Sequence, residues 1–467
     1  MIEEHLQKVS RISQQIVEFR KLDKHIRFFH GGTNSTRTQI NKLSSIDISD
    51  LNQIIEINKK EKYIIVEPNV PMDLLLDATL KEELVPFIIP EFPGITCGGA
   101  VSGTSLESSS WKYGQFNDCC EEYEVILGNG EIVKASITEN SDLFYGISGA
   151  YGTLGLITQI KIKLRDAKQY VKLVYEQVST EKAVIELENR LAHGNFDYIE
   201  SIIFDKERAV IITGTLADQD KQTANQTFFH KSDPWFYEHA KSFTNTCTEL
   251  VPITDYIFRY NRGAFWMGEY FFSLLNLPNS SYLKKLLNPF MNTRKLYSSM
   301  HAFNMGHIYF LQDFYCPIEN AQEFIDFIHK ELNIYPLWLC PIKPTNSNQK
   351  LSPHFIQDTK MLIDVGVWGK TKKYRNSISV NRLFEEYLLK VNGRKMLYAY
   401  AYYTKNEFWS IYDYEWYKNL TTKYKAMNVF PEVWGKVHVS DKSNKIKVGR
   451  GISKMLLEWI KGKNLNT

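Results

Sequence analysis

Three glycine-rich segments in the first third of the chain could hold a phosphate group. They read GGTNSTR at 31–37, CGGAVSG at 97–103 and GAYGTLG at 149–155. Glycine lets the backbone approach a ligand closely, and successive backbone N–H groups can surround an anion. None of the three has the spacing of a P-loop or of the G-x-G-x-x-G dinucleotide motif. Each alone could be an ordinary turn, whereas together they could surround a pyrophosphate.

Polar and aromatic side chains follow the second glycine segment. ESSSWKYG at 107–114 supplies three hydroxyls, an indole and a phenol. This mixture suits a large planar ligand that carries phosphates, and a solvated serine turn is the alternative. The six cysteines have no C-x-x-C spacing and no histidine cluster near them. We therefore expect reduced thiols and no metal site.

Hydrophobic periodicity predicts the elements that must position these segments. Apolar residues at spacings of three and four predict a helix over 2–21, and Pro71 opens a second helix. In the first 165 residues, strands are predicted at 63–67, 87–89 and 123–127, with a hairpin turn at 128–130. Farther along, helices are predicted at 180–192, 281–296, 319–332 and 381–392, and strands at 198–204, 209–214, 306–314 and 396–403. The fold class expected is α+β, divided into residues 1–168, 169–435 and a basic tail at 436–467.

Composition excludes several classes of protein. The 467 residues are 43% hydrophobic and 13% aromatic, which rules out a disordered chain. Fifty-six Lys and Arg against 53 Asp and Glu argue against a protein that coats nucleic acid. The N-terminus has no apolar signal stretch, and the sequence has no apolar window long enough for a membrane helix. We expect a cytoplasmic protein without a signal peptide or a transmembrane anchor.

Five motifs in a fixed order resemble a known flavoprotein domain. They are GGTNST, PGITCGGAVSGT, SSSWKYG, EVILGNGEIV and DLFYGISGAYGTLGLIT. As a set, they look like the FAD-binding, PCMH-type domain of the vanillyl-alcohol-oxidase family. Further stretches are similar to its delta-24-sterol reductase branch, among them IYPLWLCPIK, LIDVGVWG, KMLYAYAYYTKNEFW and FPEVW. The resemblance extends over about 25–435, although membrane proteins of this branch carry an N-terminal anchor that this chain does not show.

The resemblance implies that the second, α+β domain holds the substrate and that FAD passes a hydride from NADPH to a sterol side-chain alkene. The residues expected to bind FAD are Gly31, Gly32, Thr33, Asn34, Ser35, Gly98, Gly99, Gly103, Thr104, Ser105, Ser108, Ser109, Ser110, Tyr113, Gly114, Phe116, Gly152, Gly155 and Ile157. Relatives that bind FAD covalently have a histidine just after the first glycine pair. Here that place reads Thr-Asn-Ser, so we expect non-covalent FAD.

Alkene reduction also needs a proton donor near the flavin. A strand over 396–403 would place Tyr398, Tyr400 and Tyr402 on one face. Our hypothesis is that Tyr402 donates or organises the proton with Asp313 as its polar partner, and a tyrosine stripe in a core is the alternative. The aromatic segment FWMGEYFF at 265–272 would suit a sterol wall and equally a plain core.

Two other functions are compatible with the sequence. The same scaffold hosts oxidases and dehydrogenases of alcohols or hydroxy acids, and a non-enzymatic protein could keep FAD as a stabiliser. The basic tail carries a net charge of +6, and its segment GISKMLLEWIKG at 451–462 has one apolar face bordered by lysines. This pattern predicts peripheral membrane contact, with a helix packed on the protein's own surface as the alternative.

Overall fold

The computed structural model describes residues 1–22, 25–30, 45–274, 278, 280–303, 309–371, 373 and 377–439. The helices are α1 (Ile2–Arg20), α2 (Met72–Leu80), α3 (Cys97–Gly103), α4 (Ser110–Tyr113), α5 (Ser141–Ile147), α6 (Ala183–His193), α7 (Phe236–Ser242), α8 (Ile253–Ile257), α9 (Gly268–Leu274), α10 (Ser281–Leu287), α11 (Thr293–Phe303), α12 (Ala321–Glu331), α13 (Ser377–Lys390), α14 (Lys405–Ile411), α15 (Tyr414–Lys423) and α16 (Val433–Val437). The strands are β1 (Phe28–Phe29), β2 (Ile46–Asp47), β3 (Ile54–Asn58), β4 (Tyr63–Val66), β5 (Leu84–Pro86), β6 (Cys120–Ile126), β7 (Ile132–Ser136), β8 (Leu156–Asp166), β9 (Tyr170–Ser179), β10 (Tyr198–Ile203), β11 (Arg208–Ala217), β12 (Cys247–Pro252), β13 (Phe310–Pro317), β14 (Leu337–Ile342), β15 (Leu362–Gly369) and β16 (Arg394–Lys395).

The first sheet is antiparallel and has the order β3-β4-β8-β6-β7, with β5 paired to one end of β8. Strand β8 is its centre, and its residues alternate between buried and more exposed positions beyond Thr158. This alternation is typical of an antiparallel strand with one face in a core. The glycine segments 97–103 and 149–155 flank this sheet, the first as helix α3 and the second as the turn that leads into β8.

The second sheet has eight antiparallel strands in the order β12-β9-β11-β10-β14-β15-β13-β16. Every residue of β15 is buried, because both faces of the sheet are covered there. Ile363, Val365 and Val367 pack with α6, α12 and α13 on one face. The alternate residues, Asp364, Gly366 and Trp368, therefore face the other way, toward the first sheet.

The chain returns to the first sheet after the second one is complete. Helix α1 packs through Val9, Ile12 and Ile16 in the same cluster as Val429 and Phe430. The backbone N–H of Ile26 donates to the carbonyl of Val429 at 2.8 Å. The beginning of the chain and the segment before α16 thus form one layer beside the first sheet.

The α+β class is confirmed, and most predicted elements are present within one to four residues of their expected ends. Two strand predictions were wrong: residues 87–89 follow β5 instead of forming a strand, and residues 396–403 follow the short strand β16 without forming a strand themselves. The helix predicted over 281–296 is split by a 3-10 turn at Asn288–Phe290, where Pro289 cannot donate a backbone hydrogen bond. The boundary at 168 falls between β8 and β9 and stays a prediction. The helix expected at 451–462 lies outside the described residues.

Candidate functional site

A cavity of about 570 Å³ lies between the two sheets. The first sheet's side contributes the segment around α3 and the turn before β8. The second sheet contributes Asp313, Trp338, Asp364, Gly366 and Trp368. The wall is completed by the aromatic residues of 265–266 and by the irregular segment after β16. One space therefore joins the predicted cofactor segments to the second domain.

Gly103 and Gly152 leave room for a ligand on the first sheet's side of the cavity, and Gly99 is more crowded. A methyl group at Gly103 would lie 3.9 Å from the nearest atom, the Tyr151 ring, which is an ordinary contact. Gly152 has φ +71°, a conformation that favours glycine, and the Lys436 Nζ lies 3.5 Å from where its Cβ would be. At Gly99 the nearest atom would be the Thr96 hydroxyl, at 3.1 Å. Close approach of a ligand to this backbone is therefore possible.

Other glycines in the predicted set are required by the protein itself. A Cβ at Gly98 would lie 2.6 Å from the Pro68 Cβ, and one at Gly155 would lie 2.6 Å from Val125. Gly114 has φ +81° and lies against the Asp118 carboxylate. Gly98 and Gly155 line the cavity as well, but their lack of a side chain already has a structural reason.

The structure brings about a third of the predicted FAD residues together. The cavity is lined by Gly98, Gly99, Gly103, Ser105, Gly152, Gly155 and Ile157. The described residues that it does not bring to the cavity are Thr104, Ser108, Ser109, Ser110, Tyr113, Gly114 and Phe116. The remaining five, Gly31, Gly32, Thr33, Asn34 and Ser35, lie outside the described residues.

The three serines after α3 bind protein groups. The Ser108 hydroxyl donates to Glu107 at 2.8 Å, and the Ser109 hydroxyl donates to the Phe87 carbonyl at 2.8 Å. The Ser110 hydroxyl accepts from the backbone N–H of Glu107 at 3.0 Å. All three side chains are fully buried. Sequence alone cannot distinguish a hydroxyl that binds a ligand from one that solvates a buried carboxylate such as Glu107.

A buried ionic network supports the aromatic wall of the cavity. Arg259 donates to Glu200 at 2.8 Å, and its guanidinium lies 4.0 Å from Glu91. Glu200 also accepts a hydrogen bond of 2.6 Å from the indole of Trp338. Burial raises the pKa of Glu91 well above its usual range, although Arg259 lowers it. The network thereby fixes the indole of Trp338 at the cavity surface.

The part of the cavity wall next to the second sheet is aromatic and apolar. Phe265 lies 5.1 Å from the Trp368 ring and 5.4 Å from the Trp338 ring, as measured between centroids. Phe92 lies edge-on to Phe265 at 5.7 Å. Phe265 and Trp266 are the members of the predicted aromatic segment that line the cavity. Such a wall suits a flat hydrocarbon skeleton or an aromatic ring.

Two aspartates lie within this aromatic wall. Asp313 accepts a hydrogen bond of 2.9 Å from the Trp368 indole, and the side chain of Tyr398 lies near enough to act on its carboxyl group. Burial raises the pKa of Asp313 to about 6, although Trp368 and Tyr398 lower it. Asp364 is 1% exposed, and neither of its oxygens has a hydrogen-bond partner in the part of the chain that the structure describes. Burial, and then the nearby Asp313 and Glu91, raise the pKa of Asp364 well above its usual range.

Tyr402 is not among the described residues that line the cavity, whereas Asp313 is. The backbone N–H of Tyr402 donates to Glu385 at 2.8 Å, and its carbonyl accepts from Arg382 at 3.3 Å. These contacts tie Tyr402 to α13. Because the segment after β16 is irregular, Tyr398 and Tyr402 do not share a strand face, and Tyr398 alone lines the cavity.

Our sequence reasoning missed Asp364, Glu91 and Lys436 as cavity residues. For Asp364 a signal exists, since it is the one charged residue in the apolar run LIDVGVWG. A buried acid in the middle of a strand needs a reason, and a cavity provides one. For Lys436 no local signal exists, because its place depends on how α16 packs.

The residues present fit FAD. Arg27, His30 and Lys436 place positive or protonatable groups on the cavity wall, where an anionic pyrophosphate would be favoured. The open backbone at Gly103 and Gly152 permits close approach, and the aromatic wall suits the flavin ring. No group of three or more metal-ligating side chains occurs in the described ranges. The same ranges contain no helix that is long and apolar enough to cross a membrane.

Comparison with known proteins agrees with this geometry. A family model described as FAD binding domain matches residues 5–136. The human Delta(24)-sterol reductase is 30% identical over 405 residues, which cover 83% of this chain and 76% of that protein. The Arabidopsis thaliana Delta(24)-sterol reductase is 28% identical over 453 residues, covering 86% and 77%. A rice protein, cytokinin dehydrogenase 7, is 31% identical over 164 residues, covering 34% of this chain and 29% of its own. The chain belongs to the Delta(24)-sterol reductase family, a branch of the FAD-linked oxidoreductases.

Proposed function

We propose that this protein reduces a carbon–carbon double bond in the side chain of a sterol, with non-covalently bound FAD and with NADPH as the electron donor. The observation that carries the proposal is the continuity of one cavity. Its wall runs from the open glycine backbone at Gly103 and Gly152 to an aromatic surface that contains buried carboxyl groups. The names of the relatives point to the same reaction.

When bound, FAD supplies the hydride transfer that this reaction needs. The chain's own residues have three tasks. The backbone of Gly103 and Gly152 admits the cofactor, and the Lys436 ammonium balances phosphate charge. The aromatic wall takes up the sterol and excludes water from it. Trp368 and Tyr398 fix the orientation of Asp313, so that its carboxyl group has a defined position in the cavity wall.

The hypothesis of a tyrosine that organises proton transfer with Asp313, without being the proton donor itself, applies better to Tyr398 than to Tyr402. Tyr398 lines the cavity and lies near the Asp313 carboxyl group, whereas Tyr402 is tied to α13. Tyr398→Phe should therefore slow sterol reduction by at least tenfold and leave flavin reduction by NADPH unchanged. Tyr402→Phe is the matched control, and equal losses in the two variants would contradict this assignment.

The experiment that tests the function follows flavin colour without oxygen. Purified protein is mixed with NADPH, which should bleach the flavin, and then with a sterol that has a side-chain double bond, which should restore the colour. Mass spectrometry should show a product two hydrogens heavier. Bleaching by an alcohol or a hydroxy acid instead of NADPH would favour the oxidase or dehydrogenase function. Protein that binds no flavin would support the non-enzymatic alternative.

A further inference from the structure

We propose that Asp364 is the catalytic acid that delivers the proton to the sterol alkene. The inference rests on the proposed function and assigns one of its two reacting groups. Asp364 lies on the central part of β15, on the face that lines the cavity, and not on the outer helix-covered face. It is therefore held by a rigid strand that is paired on both sides.

The register of the sheet places Asp364 beside Asp313. Residue Tyr315 of β13 is opposite Asp364, and Asp313 is opposite Gly366. The two aspartates are thus diagonal neighbours on one sheet face. Gly366 has no side chain and so lets the Asp313 carboxyl group lie close to it, since a Cβ there would be 3.2 Å from the Asp313 Oδ1, and both aspartates line the cavity. A carboxyl group at Asp364 consequently has access to the cavity.

The surroundings of Asp364 favour the neutral acid. Its oxygens accept no hydrogen bond from the described residues, while those of Asp313 do. The titratable groups that act on it or lie across from it are Asp313 and Tyr315 on β13, Cys316 on the same strand, Cys340 on β14, and Glu91. None of these groups is a cation. A buried carboxylate without a donor or a counter-ion is costly, so the proton stays on Asp364 at neutral pH and is available for transfer.

NADPH and the proton of Asp364 together supply the two hydrogens that reduction of the alkene needs. The alkene π bond breaks while one carbon gains the hydride that originates from NADPH and the other gains the proton of Asp364. NADPH is oxidised to NADP⁺ and the alkene is reduced to the alkane. The Asp364 carboxylate then regains a proton from water, so each turnover consumes one alkene, one NADPH and one solvent proton.

The test compares Asp364→Asn with Asp166→Asn, a control at an exposed end of β8. Asparagine is neutral and of similar size, so flavin content and thermal stability should stay close to wild type. Bleaching by NADPH should be retained, while reoxidation by the sterol should slow by about 10²–10⁴-fold. Unchanged reoxidation in Asp364→Asn would overturn the proposal.

A second readout does not depend on turnover. The infrared carbonyl band of neutral carboxylic acids, recorded at pH 7 without sterol, should lose intensity in Asp364→Asn and not in Asp166→Asn. An unchanged band would show that Asp364 is ionised and would overturn the proposal. If the sterol fails to reoxidise the wild type, the proposed function is wrong, whereas a loss confined to the variant concerns Asp364. Asp364→Ser should reproduce both effects if the asparagine variant does not fold.

Discussion

The open space at Gly103 predicts that small substitutions there will separate cofactor binding from folding. Gly103 is the last residue of α3 and lines the cavity, and a Cβ would meet no atom of the described chain nearer than 3.9 Å. Gly103→Ala should therefore leave the flavin-free protein as stable as wild type or more so, by up to about 1 kcal/mol, because alanine is the better helix former. Gly103→Val adds more volume to the same space.

The loss should appear only when FAD is added. A ligand at one hundred times its dissociation constant stabilises a protein by about 2.7 kcal/mol. Gly103→Val should lose that increment, since its side chain would occupy the path of the cofactor, and Gly103→Ala should lose part of it. The assay is thermal unfolding of the flavin-free protein with and without added FAD, together with the flavin content of protein as purified.

Gly98→Ala is the contrasting variant. Its Cβ would lie 2.6 Å from the Pro68 Cβ and 3.1 Å from the Pro68 carbonyl oxygen, so the backbone must shift. Overpacking of this kind costs about 1–3 kcal/mol, and the loss should be the same with or without FAD. Normal flavin content and a normal FAD-induced shift in Gly103→Val would refute the placement of the cofactor beside this residue.

Three further predictions concern charge. Lys436→Gln should weaken FAD binding by about 10- to 100-fold, as expected for a hydrogen bond to a charged group, and leave riboflavin binding unchanged, whereas the surface variant Lys405→Gln should change neither. Burial lowers the pKa of His5, but hydrogen bonds to Glu124 and Glu67 outweigh burial and raise it to about 9. Stability from protonated His5 is thus complete below pH 6.5 and lost as the pH rises through 9, and thermal unfolding of His5→Gln should depend less on pH over this range than that of wild type. A chain ending at Val439 should not sediment with anionic liposomes at low salt, whereas the full chain should; equal behaviour of the two would rule out the tail as a membrane contact.

The sequence predicts local structure well where one physical signal dominates. Amphipathic spacing was enough for α1, and the glycine turn at 128–130 was enough for the hairpin of β6 and β7. The tyrosine-rich segment after β16 has the composition of a strand, yet Lys395 and the backbone of Tyr402 are drawn to the buried Glu385 instead. These hydrogen bonds join residues of different elements, and the periodicity of the sequence does not reveal them.

The candidate site likewise has features that the sequence predicts and features that it does not. Gly152 has φ +71°, so its residue type reflects a backbone requirement, whereas the assignment of Gly99 and Gly103 to the cofactor stays a prediction. The surroundings of Ser108 and Asp364 could not be predicted, since each side chain lies against residues that are distant in the sequence. Ser108 meets Tyr256 at 3.0 Å, and Asp364 lies opposite Tyr315 of β13, diagonal to Asp313. The chemical behaviour of the Ser108 and Asp364 side chains depends on their burial beside segments that are distant in the sequence.

The return of the chain to its beginning has a consequence for biogenesis. The carbonyl of Lys425 lies so close to Gly128 that a Cβ there would be 1.9 Å away, and Val429 binds the backbone of Ile26. The nucleotide-binding half is therefore completed by residues that leave the ribosome some 260 positions after its own last strand. During synthesis, part of the hydrophobic surface of this half stays exposed until α15 and α16 have been translated. A premature stop before Lys425 should consequently yield a protein that never acquires its cofactor, even though every glycine segment has been translated.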